Sequence, residues 1–105
     1  MKVSYRQEGR TLTVALQGEL DHHAAQGVLR GIEAAVDTRL PLRCVLDMGG
    51  VDFMDSSGLA IVLGTYRRLR ELGGSLALAR VPNQARRVLS AAHLDRFVSI
   101  EGGGT

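Results

Sequence analysis

Tryptophan is missing from the sequence, and phenylalanine and tyrosine supply only two residues each. Nucleic-acid binding through base stacking therefore has little to work with, although arginines at 67, 68, 70, 86, 87 and 96 make the chain look basic. The formal net charge is only +2, so those arginines are read as solvated helix faces. A single cysteine, Cys44, rules out an internal disulfide and fits an intracellular compartment better than a secreted one. The longest apolar stretch, Leu59 to Leu63, is far too short to span a bilayer. The opening "MKVSYRQEGRT" has no apolar core of the kind that a signal peptide needs. A cytoplasmic chain without membrane or direct nucleic-acid partners is expected.

The 105 residues suffice for one domain with one core. "VSY" and "TLTVALQ" alternate, with Val3 and Tyr5, then Leu12, Val14 and Leu16, on one face each. Gly9 between them predicts a tight hairpin. Ala25, Val28, Leu29, Ile32 and Val36 recur at helical spacing, with Arg30, Glu33 and Asp37 outside. "RCVLDM" reads as a central strand buried on both faces. A second helix follows over "SSGLAIVLGTYRRLRELGG", with Leu59, Val62, Leu63, Tyr66 and Leu69 as its buried stripe and Gly73 as its stop. "SLALA" predicts a strand, Asn83 the cap of a third helix, and "FVSI" a last strand. In that third helix Ala85, Val88, Leu89 and Ala92 are expected inside. The order β-β-α-β-α-β-α-β implies one α/β domain over 1–101, with a mixed, mostly parallel sheet and an antiparallel first strand. The clean alternation of the first two strands suggests that one sheet face is not fully covered. Residues 102–105 are expected to form a flexible glycine-rich tail.

Phosphate-binding glycine fingerprints are missing, and Ser56 and Ser57 do not sit in a G-x-S-x-G nucleophile elbow. A small serine hydrolase would need a histidine base. His22 and His23 are adjacent and point different ways, and with His93 they offer no aligned partner. The same adjacency lacks the i, i+4 spacing of a metal pair, so Asp21 is expected to cap the first helix with both histidines in its first turn. Cys44 is expected to be an inert core residue.

"FMDSSGLAIVLG", Phe53 to Gly64, is the stretch that capping alone does not explain. One cap is worth about 1 kcal/mol, yet Asp55, Ser56 and Ser57 stand in a row. Gly58 in the first turn costs about 1 kcal/mol against alanine and suggests a close-approaching partner. Ala60, Ile61 and Gly64 are expected on outer faces, as a smooth docking patch beside the serines.

Together "GELDHHAA" (18–25), "FMDSSGLAIVLGTYRRL" (53–69) and "LGGSLALA" (72–79) resemble the STAS domain of bacterial anti-sigma factor antagonists, and "GELDHH" the sporulation type more than the general-stress type. Family members usually carry a further helix after the last strand, whereas this sequence stops at "EGGGT". The resemblance implies partner switching. The unphosphorylated antagonist binds an anti-sigma factor that is also a serine kinase, which frees the sigma factor. The kinase, which uses ATP, then phosphorylates Ser56, and a PP2C-type phosphatase reverses the modification. The chain itself would need no cofactor or metal and would not be an enzyme. It is expected to be monomeric when free, with Asp21, Asp55, Ser56, Ser57, Gly58, Ala60, Ile61 and Gly64 as its partner contacts. A scaffold or sensor subunit of a stress-signalling complex is the alternative use of the same fold.

Overall fold

The computed structural model describes residues 1–101. The expected tail over 102–105 lies outside the described residues. The elements are β1 Lys2–Glu8, β2 Thr11–Leu20, α1 His22–Arg39, β3 Arg43–Met54, α2 Ser57–Glu71, β4 Ser75–Ala79, α3 Asn83–Ala91, a 3-10 turn Leu94–Arg96 and β5 Ser99–Glu101. The five strands form one sheet in sequence order, with β1 antiparallel to β2 and all other pairs parallel. The predicted order and the antiparallel first strand are both present. Gly9 turns the hairpin with φ +60°, as a two-residue turn with glycine first requires. The last strand begins later than expected. Phe97 precedes it and is exposed, while Glu101 is paired with Ala79.

Each crossover moves one strand further in the same direction. Right-handed crossovers of that kind stack their helices on a single face of the sheet. Burial follows from this. In β3, Cys44, Leu46 and Met48 are fully buried, while Arg43, Val45 and Asp47, which alternate with them, are only half-buried. The expectation that β3 is buried on both faces is corrected: one face packs and the other stays open, as the alternation of β1 and β2 suggested. On the packed face Leu12, Val14 and Leu16 of β2 meet Ile32 and Val36 of α1 and Ile61 and Leu69 of α2 in one core.

The phase of α2 differs from the expected stripe. Its buried residues are Gly58, Ile61, Val62, Thr65 and Leu69, while Leu59, Leu63 and Tyr66 are half-buried on its flanks. Ile61, expected on an outer patch, is fully buried. Gly64 is not a docking surface either. A Cβ there would lie 2.9 Å from both terminal methyls of Leu29, so Gly64 lets α1 and α2 approach closely. Asp37 and Arg68 tie the same two helices with paired contacts of 2.7 and 2.8 Å.

Asp21 caps α1 as expected, its Oδ1 accepting the Ala24 N–H at 3.1 Å. Asn83 does not cap α3. Pro82 holds the cap position, extended at φ −64° and ψ 155°, and Asn83 is the first helical residue.

Candidate functional site

Two register shifts between β2 and β3, around Gln17 and around Glu19, give β3 its extra residues. Such bulges re-aim the end of a strand. Past them Leu20 and Met54 are register partners at the carboxyl end of the sheet. The Asp55 N–H donates to the Leu20 carbonyl at 3.4 Å, so the chain leaves β2 at Asp21 and β3 at Asp55 side by side. Residues 34 positions apart in sequence thus come to one edge, where ligands of parallel sheets gather.

Asp55, not Ser56, holds the first turn of α2. Its Oδ1 accepts the Ser57 N–H at 2.7 Å and its carbonyl accepts the Gly58 N–H at 3.0 Å. Ser56 takes the cap position with helical angles, φ −62° and ψ −19°, and its side chain makes no capping bond. Its hydroxyl is exposed, at the positive end of the α2 dipole.

Gly58 is explained from inside the domain. A Cβ at this position would fall 2.4 Å from Met54 Cγ, 2.7 Å from Met54 Sδ and 3.3 Å from Leu20 Cδ2. Packing requires the glycine, which corrects the expectation that packing does not and that a close-approaching partner could. Of Ala60, Ile61 and Gly64, only Ala60 is exposed.

Two surface grooves flank the serines. One runs between α2 and α3 and is lined by Ser56, Leu59, Gln84, Arg87, Val88, Ala91 and Ala92. The other, between α1 and α2, is lined by His22, His23, Ala25, Gln26, Leu29, Ser57 and Ala60. Ser56 faces the first and Ser57 the second. The α3 residues of the first groove were not anticipated. Val88, expected inside, is half-buried against the core; Ala92, also expected inside, is exposed; and nothing in the spacing marks Gln84 or Arg87. Gln84 holds the loop: its Nε2 donates to the Met54 carbonyl and its Oε1 accepts the Met54 N–H, both at 2.8 Å.

His22 and His23 occupy the first turn of α1 with their rings edge-on, 5.8 Å apart. Among the described residues no group of three or more His, Cys, Asp or Glu side chains converges, and no hydrogen bond joins a serine hydroxyl to a histidine. Burial pushes the Cys44 thiol up to about 12, which keeps it a neutral core group. No helix among the described residues is long and apolar enough to cross a membrane.

Fold and edge together define a small mixed-sheet α/β domain that presents an uncapped serine at a helix start. Residues 2–102 match the STAS domain family, and the chain belongs to it. It is 36% identical over 89 residues to the anti-sigma F factor antagonist of Paenibacillus polymyxa, covering 85% of this chain and 76% of that protein. It superposes on the anti-sigma factor antagonist SpoIIAA in its unphosphorylated form with a TM-score of 0.82 and 28% identity, covering 94% of this chain and 87% of that one. Against the phosphorylated form of the Bacillus cell fate determinant SpoIIAA the TM-score is 0.74 at 28% identity, with 94% and 90% covered.

Proposed function

We propose that this protein is an anti-sigma factor antagonist whose hold on its anti-sigma factor is set by phosphorylation of Ser56. The observation that carries the proposal is the exposed, uncapped Ser56 hydroxyl at the rim of the α2–α3 groove, on the sheet edge that Asp21 shares. The relatives named anti-sigma factor antagonists support the partner class, and the two forms of SpoIIAA support a phosphorylation switch.

The chemistry is local. The unphosphorylated edge offers a partner the apolar floor of Leu59, Val88, Ala91 and Ala92 with Arg87 beside it. The partner is an anti-sigma factor with serine kinase activity, and ATP belongs to that partner. Transfer of a phosphoryl group to Ser56 adds about −1.5 to −2 charge at pH 7. The α2 dipole tolerates the new charge, so the fold stays intact. The interface does not tolerate it. Pressed against a partner and flanked by Asp21 and Asp55, the phosphate loses water and meets like charge, which costs several kcal/mol where each 1.4 kcal/mol is about tenfold in affinity. A PP2C-type phosphatase restores the binding form. Asp21, Asp55, Ser57 and Ala60 complete the contact surface. Gly58, Ile61 and Gly64 serve it only from beneath.

Titration of a purified anti-sigma factor from the same host tests this. Ser56→Ala retains wild-type binding, because it removes the acceptor without adding charge, and it is not phosphorylated. Ser56→Asp binds at least about tenfold more weakly. Equal affinity for both variants would refute the switch.

A further inference from the structure

β3 outruns its neighbour. Its ladder with β4 ends at Asp47 paired with Ala79, so the distal part of β3 up to Met54 has no strand on that side. Backbone N–H and C=O groups left in that position need partners. At Met54 the Gln84 side chain supplies both, donating to the carbonyl and accepting from the N–H at 2.8 Å each. The amide stands in for one residue of a missing strand. Met54 is the last strand residue before the turn that carries Ser56, and its buried side chain lies against Gly58 in the first turn of α2. On its other side this end of β3 stays paired with β2, through the Glu19–Phe53 and Leu20–Met54 register and the long 3.4 Å contact from the Asp55 N–H to the Leu20 carbonyl.

We infer that Gln84 is a positioning residue for Ser56: through its amide, α3 fixes the end of β3, and thereby the height of Ser56 above the α2–α3 groove. This rests on the proposed role of Ser56 as phosphoacceptor. The side-chain length is part of the device. Asparagine is one methylene too short to reach both groups from the same backbone position. Leucine fills similar space with no polar atom. Glutamate keeps the acceptor for the Met54 N–H and loses the donor to its carbonyl.

The test uses the full chain with Gln84→Leu and Gln84→Glu. Amide exchange of Met54 is followed by NMR beside that of Leu46, in the paired part of β3. Ser56 phosphorylation is followed with a purified anti-sigma kinase from the same host and Mg-ATP. In Gln84→Leu the Met54 amide exchanges about tenfold faster, while Leu46 is unchanged. The kcat for Ser56 falls about tenfold or more and KM changes by less than about twofold, because an acceptor out of place slows transfer rather than docking. Gln84→Glu falls between wild type and Gln84→Leu, and it carries the test should Gln84→Leu fail to fold. Unchanged kcat in the variants overturns the inference alone, as does a rise in KM without a fall in kcat. A wild-type chain that is not phosphorylated at Ser56 overturns the proposed function and this inference together.

Discussion

At Gly58 two opposing effects can be weighed. Alanine in the first turn of a helix gains up to about 1 kcal/mol over glycine. The added methyl would sit 2.4 Å from Met54 Cγ, and Met54 is itself fully buried. Overpacking of this kind costs about 1–3 kcal/mol. Gly58→Ala is therefore expected to lose about 1 kcal/mol net, and up to about 2, in a denaturant melt. An unchanged or raised midpoint would show that Met54 moves aside freely. Ile61→Glu is a harsher case. It places a carboxylate where the native side chain has no exposure, and a loss of about 4 kcal/mol or more should abolish the cooperative transition. These two residues show what was hidden in the sequence. From Leu59 to Gly64 α2 is apolar or small all round, so periodicity has no phase to report. The phase is set by shape: Gly58 fits against Met54 at the end of β3 and Gly64 against Leu29 of α1, contacts between elements that periodicity within α2 does not report. The run Asp55, Ser56 and Ser57 draws notice for the opposite reason, as a local cluster of polar residues at a strand-to-helix handover, and the choice of Ser56 within it rests on the family resemblance.

At the scale of elements, the crossovers were legible and the edges were not. Apolar runs marked each strand and helix, although β3 runs six residues past its apolar stretch "RCVLDM" and Asn83 does not cap α3, and the handedness of the connections fixed the sheet. The covering of β3 went the other way. Its short apolar run fits a strand with two buried faces, but every crossover steps in one direction and leaves one face bare. The convergence of Asp21 with Ser56 was expected from the parallel pairing of their strands, and the Leu20–Met54 register agrees. Gln84 could not be seen, because its partner is the backbone of Met54, 30 residues away. Asp21 poses a question that one substitution answers. Its Oδ1 caps α1, and asparagine caps about as well as aspartate. Asp21→Asn is thus expected to melt within about 0.5 kcal/mol of wild type. If its charge also serves the partner, anti-sigma factor binding or Ser56 phosphorylation falls about tenfold, since hydrogen bonds to charged groups are worth about 1.5–3 kcal/mol. Wild-type binding and phosphorylation in that variant would leave Asp21 as a helix cap alone.

Across the whole molecule, the open face of the sheet and the carboxyl edge divide the work. On the open side Arg80, in the left-handed region at φ +52°, folds over Gly49 and makes paired contacts of 3.0 and 2.8 Å with Asp47. That guanidinium, with help from the Gly49 N–H at 3.0 Å, holds the Asp47 carboxyl below the usual carboxylate range. A carboxyl depressed in the folded state stabilises the fold above its unfolded value, and the contribution is lost as pH falls through the folded value. Thermal melts from about pH 4 downwards should therefore show wild type losing stability more steeply than Asp47→Asn. Parallel acid profiles would mean that the pair contributes nothing net.

The carboxyl edge carries the central claim, that one phosphate on Ser56 changes the surface and not the fold. Calorimetric titration of a purified anti-sigma factor with unphosphorylated protein, and with protein phosphorylated at Ser56 alone as verified by peptide mass spectrometry, tests it most directly when both forms are also melted. The account predicts melting temperatures within a few degrees of each other and an affinity at least about a hundredfold lower for the phosphorylated form. Equal affinities, or a phosphorylated form that no longer folds cooperatively, would contradict it.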